Sequence, residues 1–291
     1  MQTQFLPIAI IAVMLSLGLT LTVSDFRRIA RIPGPIAVAL LCQAVLLPII
    51  AFLIARGFAL PGTLAVGLML ISAAPGGTFA NVFSHLAGGD LALNLTLTAI
   101  NAVLAIVTLP LIVSLSMIYF MGDDRSIPLQ FSKALQVVLL MAGPIAVGMF
   151  FRHRFPNAAQ RLRKPVNILV GVFVVLVAVF SVKSAWGALV EHFAVLGAAV
   201  VLLNVISLAV GYIVPRLMHL SRRQAIAISV EVGLHNAALA MTIGSSPQLL
   251  GNSEIAISGI MYGVTMPFIA VAFIALIRRM DRDTEPPTIE A

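Results

Sequence analysis

Charge is scarce in this chain of 291 residues: Asp, Glu, Lys and Arg supply 10% of it, against 60% hydrophobic residues. Soluble domains run nearer about 25% charged and about 45–50% apolar, which excludes an ordinary soluble enzyme. A single cysteine, Cys42, excludes an internal disulfide framework and any multi-cysteine metal centre. No folded, water-facing module is long enough to gather the basic residues, so the net charge of +7 and pI near 10.5 do not denote nucleic-acid binding. Met1-Gln2-Thr3-Gln4 carries no basic flank, and the first apolar run is expected to be a permanent span rather than a signal peptide. Gly76-Gly77 lacks the following Gly-Lys-Ser/Thr of a nucleotide cradle. With no nucleophile in a catalytic setting either, the chain is expected not to be an enzyme.

What is present is long apolar runs. A bilayer-spanning helix needs roughly 20 such residues, and hydropathy predicts nine spans, near 5–23, 34–55, 62–86, 91–119, 129–151, 165–185, 193–216, 224–246 and 254–277. With the amino terminus outside, Arg27, Arg28, Arg31, Arg152, Arg154, Arg161, Arg163, Lys164, Arg216, Arg222, Arg223, Arg278, Arg279 and Arg282 all fall in the cytoplasm. Only Arg56, Arg125, Lys133 and Lys183 of the 18 basic residues fall outside, the asymmetry that short loops obey. Trp186 and Tyr119 are then expected near the outer boundary. Residues 281–291 form a cytoplasmic tail, and the chain is expected in the cell (inner) membrane, bound to lipid rather than nucleic acid.

Of the 11 acidic residues, Glu231 alone lies deep within a span. A carboxylate there costs several kcal/mol unless it is paired or wet, and no Lys or Arg shares its depth. A bound cation, a proton or water must stabilise it. The third span is interrupted by Pro75-Gly76-Gly77-Thr78, which cannot hold a regular helix; the eighth has a weak point at Gly233, beside Glu231 and Asn236. Such breaks are tolerated at membrane depth only where protein or a wet cavity satisfies the backbone. Two interrupted helices, one in each half and entering from opposite sides, point to an inverted-repeat transporter with its site near the midplane. Asn94, Thr98 and Asn101 share one helical face, and Gln43 interrupts the second span. Together with Glu231 they form an oxygen-rich set suited to a hard cation.

These residues also resemble the bile acid:sodium symporter family. The marks are Ala74-Pro75-Gly76-Gly77-Thr78 followed by Asn81, Gly89-Asp90 leading to Asn94 and Thr98, and Glu231-Val232-Gly233-Leu234-His235-Asn236, with Gln43 in Leu41-Cys42-Gln43-Ala44 and Gly18-Leu19-Thr20-Leu21 before Ser24-Asp25-Phe26. The resemblance implies an all-α polytopic fold in which a core with two crossed discontinuous helices (about 34–119 and 193–277) faces a panel (about 5–23 and 129–185). Nine helices then correspond to inverted repeats whose first helix is absent from repeat one. It implies two sodium ions, one held by Asn81, Asn94, Thr98 and Glu231, the other by Gln43, Glu231, His235 and carbonyls near Val232 and Leu234. Thr78 and Asn236 would face the substrate cavity, with Thr265 lining it further on.

Three positions depart from the family's pattern. Ala80 stands where a Ser lends an oxygen to the first site, and His235 where a Gln is expected in the second. Thr265-Met266-Pro267 replaces the polar His-Asn pair of bile-acid-binding relatives, which favours a smaller carboxylate such as pantoate. His235, four residues from Glu231, either donates a hydrogen bond within the core or makes transport pH-sensitive. The expected function is sodium-coupled symport of an organic anion, bile acid-like or a small carboxylate such as pantoate, by alternating access. The alternatives are a sodium- or proton-driven exporter related to arsenite permeases, for which Cys42 is misplaced, and a non-transporting membrane sensor, for which no signalling segment is long enough.

Overall fold

The computed structural model describes residues 11–22, 31–122, 131–246 and 249–282. Residues 5–10 of the first expected span, Ser24-Asp25-Phe26, Arg27, Arg28, Arg125 and the tail beyond 282 lie outside the described residues, as do the side chains of Thr78, Lys133 and Arg163. The described chain is helical, and its one β-type pairing is an isolated antiparallel bridge between Gly76 and His235.

Eleven helical segments follow one another among the described residues. They are α1 (11–18), α2 (Pro33–Gly57), α3 (Gly62–Ala73), α4 (Thr78–Leu86), α5 (Leu91–Met121), α6 (Phe131–Arg154), α7 (Pro156–Ser184), α8 (Trp186–Leu217), α9 (Arg222–Gly233), α10 (Ala237–Ser245) and α11 (Ser253–Arg282). Four of them, α2, α5, α8 and α11, are by themselves long and apolar enough to cross a bilayer. Their outward faces carry large apolar side chains such as Leu53, Val107, Ile213 and Phe268, each more than half exposed, a surface suited to hydrocarbon and not to water.

Proline alone does not break these helices. Pro110, Pro144, Pro165, Pro215 and Pro267 all sit inside continuous helices. α7 accordingly starts at Pro156 and runs through the basic stretch to Pro165, where hydropathy alone would begin the span. In α2 the strain of Pro48 is absorbed upstream: the turn Cys42–Leu46 is π-helical. A proline removes one backbone donor and crowds the carbonyl four residues before it, and a widened turn is one way to accommodate both.

Between α3 and α4, and between α9 and α10, the chain is extended. Ala74 (φ −70°, ψ 139°) takes the conformation forced on a residue before proline, and Gly77 is extended at the start of α4. Leu234 ends α9, and Asn236 starts α10 with its side chain accepting from Leu239 N at 3.0 Å. Gly77 N donates to Leu234 O at 2.9 Å, and Asn236 N donates to Pro75 O at 2.8 Å. The two breaks satisfy each other's backbone, which is what removal from water demands. Around them α3 packs on α2, α5 and α11, α9 on α5, α4 and α8, and α10 on α11 and α7. Small residues allow this: a Cβ on Gly211 of α8 would lie 2.6 Å from Ser229 Cα, and one on Gly67 of α3 would lie 2.5 Å from Ile255 O. On the other side, Gly18 and Gly148 bring α1 against α6, where Arg152 donates to the carbonyl of Thr20.

Candidate functional site: two broken helices around a buried carboxylate

Glu231 is fully buried in the last turns of α9, at the level of the crossing. Its Oε2 accepts from Asn94 Nδ2 at 2.8 Å and Thr98 Oγ1 at 2.7 Å, and its Oε1 from Asn101 Nδ2 at 3.1 Å. All three donors stand on one face of α5, whose first turn is fixed by Asp90 Oδ1 accepting from Leu93 N at 3.0 Å. The Gly76 backbone amide also interacts with the carboxyl group, and a Cβ on Gly76 would overlap it. Each of these partners is neutral, and among the described residues the one close approach of a basic side chain to an acidic one is His192 to Glu191. The family resemblance makes Asn94 and Thr98 ligands of one sodium ion together with Asn81 and Glu231, and leaves Asn101 as a face residue; in the structure all three residues of that face donate to Glu231.

The first break is held from α2. Gln43 Nε2 donates to the carbonyls of Ser72 and Ala74 at 3.2 and 3.1 Å. The second is held from α8 and α11, by residues that the sequence does not single out. Asn204 Nδ2 donates to Gly233 O at 2.6 Å and lies within 2.7 Å of the Tyr262 hydroxyl, which donates to Gly233 O at 2.7 Å. The spacing is a usable signal: Gln43 precedes Ser72 by 29 residues, and Asn204 precedes Gly233 by the same 29. Tyr262 follows Gly233 by 29 in turn, as Asn101 follows Ser72.

His235 is not turned toward Glu231 by an i, i+4 helical relation, because α9 stops at Gly233. Its Nδ1 lies 2.8 Å from the Tyr262 hydroxyl and its ring packs edge-on against that ring. Leu234 O is engaged by Gly77 N, leaving one lone pair. Asn81 sits on the first turn of α4 and is half-buried. Ala80 beside it is fully buried and brings no oxygen. Asn236 caps α10, and Thr265 Oγ1 donates to Met261 O at 2.8 Å, so both have local partners.

A hard cation takes oxygen ligands, and the described residues supply them. Gln43 Oε1, Asn81 Oδ1, Asn94 Oδ1 and Asn101 Oδ1 are buried with no hydrogen-bond partner among the described residues, and the amide nitrogens of Gln43, Asn94 and Asn101 are all spent on the breaks or on Glu231. Buried acceptors without donors are rare in folded proteins. Asn94 and Asn101 also touch the Glu231 carboxylate, whose partners are neutral, and oxygens of this kind fit a small cation. No cluster of three or more His, Cys, Asp or Glu able to hold a metal occurs among the described residues; the set is one of amide and hydroxyl oxygens.

Comparison with known proteins gives the chain a family. The model of the sodium bile acid symporter family matches residues 7–214. The uncharacterized sodium-dependent transporter YocS of Bacillus subtilis (strain 168) is 31% identical over 247 residues, covering 84% of this chain and 74% of that protein. The human sodium-dependent organic anion transporter is 29% identical over 231 residues, 79% of this chain and 60% of its own. The human ileal sodium/bile acid cotransporter is 26% identical over 243 residues, 82% and 68% respectively. With the motifs around Pro75 and Glu231 in place and the family's model matched over most of the length, the chain belongs to the sodium bile acid symporter family.

Proposed function

We propose that this protein is a sodium-coupled symporter that carries a small organic anion across the cell membrane by alternating access. The observation that carries the reading is Glu231, a buried carboxylate with only neutral donors, set where two broken helices meet and ringed by oxygens without partners among the described residues. Sodium is cargo here. One ion is held by Asn81, Asn94, Thr98 and Glu231; a second shares Glu231 and uses Gln43 with carbonyls of the α9–α10 break near Val232 and Leu234. The ions neutralise the carboxylate and tie α5 and α9 to the crossing, so the substrate-competent arrangement is populated only when they are bound.

The anion binds on the other side of the crossing. α4 and α10 both begin there, and helix starts carry positive partial charge suited to an anionic group. Thr78 at the start of α4, Asn236 and Thr265 belong to that cavity, between a core built from α2–α5 and α8–α11 and a panel built from α1, α6 and α7. Counting each broken pair as one, the segments make nine spans, with the amino terminus outside and the carboxyl terminus in the cytoplasm. The matched 29-residue spacings in the two halves support an inverted repeat. Loss of the polar pair at Thr265-Met266 favours a carboxylate smaller than a bile acid, of the pantoate class.

The test is thermal stability of the purified protein across a panel of organic anions with and without sodium. An anion shift that appears only with sodium, and disappears in Glu231→Ala, is the expected result. Sodium stabilisation of Glu231→Ala equal to that of the wild type would refute the assignment.

A further inference from the structure

Three arginines at one end of the helices around the crossing are each fixed by one arm to a backbone carbonyl. Arg216 Nη1 donates to Leu220 O at 2.9 Å, Arg222 Nη2 to Ile277 O at 3.1 Å, and Arg278 Nη2 to Leu86 O at 2.9 Å. These bonds tie the start of α9 to the end of α11, and the end of α11 to the end of α4. One turn earlier the Tyr212 and Phe273 rings, 6.3 Å apart, hold α8 beside α11. Arg223 and Arg279 follow Arg222 and Arg278 in the chain, so five guanidinium groups gather where these helix ends meet. Arg216, Arg223, Arg278 and Arg279 are exposed, and none of the four forms an ion pair with a carboxylate of the described residues. Asp90, the described carboxylate at this end, spends Oδ1 on Leu93 N as the cap of α5; Asp281 and Asp283 follow in the sequence, which leaves arginine in excess. Like charges held close on backbone anchors repel one another, and an added anion relieves that repulsion.

The same helix ends indicate what carries the anion. Leu217 and Met218 at the end of α8 and Leu276 on α11 are 73%, 52% and 57% exposed, and they adjoin Arg216 and Arg279 along the chain. α8 and α11 are long and apolar enough to cross a bilayer, so an exposed apolar band passing directly into guanidinium groups marks the level where hydrocarbon gives way to headgroups. A dissolved anion would use the arginines alone, whereas a phospholipid uses both surfaces. Arginine also suits phosphate, because its fork can donate two parallel bonds. We propose that the ends of α8, α9 and α11 form a binding site for an anionic phospholipid, its headgroup held by Arg216, Arg223, Arg278 and Arg279 and its chains lying against Leu217 and Leu276. In the proposed topology this is a lipid of the cytoplasmic leaflet. Charge bias sets topology by number alone, and Arg154 and Arg161 of the panel contribute to that count as well. Arg154 stacks over the Phe155 ring of its own segment, whereas the arginines of the core end are pinned across helices, which preorganises them for a shared ligand. A lipid bound there clasps α8, α9 and α11 at the end where Arg222 and Arg278 already join them to α4.

The site needs no sodium, and its test is run in choline chloride, apart from the sodium reading. Native mass spectrometry of the purified full chain counts bound lipid, and the thermal midpoint in detergent follows it independently. The probes are phosphatidylglycerol, phosphatidylcholine with the same chains, and inorganic phosphate. Phosphatidylglycerol should be retained and raise the midpoint, while phosphatidylcholine and phosphate leave it unchanged. Arg223→Gln with Arg279→Gln should bind phosphatidylglycerol about tenfold more weakly, and Arg154→Gln with Arg161→Gln on the panel should bind it as the wild type does. Counting lipid on the intact protein keeps the result readable if the core variant melts lower. Equal retention of the two lipids would overturn the proposal, as would a phosphate shift matching that of phosphatidylglycerol, which assigns the arginines to dissolved anions. Wild-type affinity in the core variant, or equal losses in both variants, would overturn it too.

Discussion

The tightest contact at the crossing offers a sharp test. A methyl group added by Gly76→Ala falls on the Glu231 carboxyl group. Gly76 has no positive φ, so alanine brings no backbone strain of its own. The carboxyl group cannot retreat freely, because Asn94, Thr98 and Asn101 grip it from α5 at 2.8, 2.7 and 3.1 Å. Forcing an extra carbon into a packed interior costs about 1–3 kcal/mol. If that cost falls on the ion-binding arrangement, sodium affinity drops by about 5–150-fold. The neighbouring glycine is the control: a Cβ on Gly77 meets nothing nearer than His235 O at 3.4 Å and Asn236 Cα at 3.5 Å, ordinary contact distances. Titrating sodium against the thermal midpoint, with choline holding ionic strength constant, reads both variants. Gly76→Ala should need far more sodium for half the stabilisation, and Gly77→Ala about the wild-type amount. A Gly76→Ala titration within twofold of wild type, or equal losses in both variants, would refute the reasoning.

Two further outcomes separate scaffold from ion site. Tyr262→Phe removes a donor to Gly233 O and the partner of His235 Nδ1, which should cost about 1–3 kcal/mol of stability and lower the sodium-free thermal midpoint while the sodium concentration for half-stabilisation stays within twofold of wild type. Asp90→Ala deletes the cap of α5; about 1 kcal/mol is lost, or about 2–4 °C in the melting midpoint, and Asp90→Asn or Asp90→Ser should retain most of it.

Much of this arrangement is legible in the sequence because the membrane makes polar residues costly. Glu231 stands out by depth alone, and Pro75-Gly76-Gly77 by its inability to form helix; both lie where the hydropathy and residue types put them. What escapes the sequence depends on partners distant in the chain. Asn204 and Tyr262 look like an isolated amide and a boundary-type aromatic in apolar spans, and only the fold brings them to the same carbonyl. The π-helical turn holding Gln43 answers a proline that follows it, an effect no residue within the turn announces. His235 falls one helical turn from Glu231 only if the helix is continuous. Because α9 ends at Gly233, the ring is directed to α11 instead.

The equal spacing of the side chains that steady the two breaks has a mechanical consequence. Matched places share one habit and differ in another: Gln43, Asn101 and Asn204 all spend their nitrogens on protein and keep a buried oxygen without a partner among the described residues, while the second break alone has a tyrosine hydroxyl that joins Asn204 and His235 at its carbonyl. Protein groups hold carbonyls of both breaks, Gln43 those of Ser72 and Ala74, and Asn204 with Tyr262 that of Gly233, so the second break has one more side chain steadying it than the first. On the proposed reading such a transporter has one stiffer jaw and one looser one, and the sodium gradient would do its work on the looser jaw.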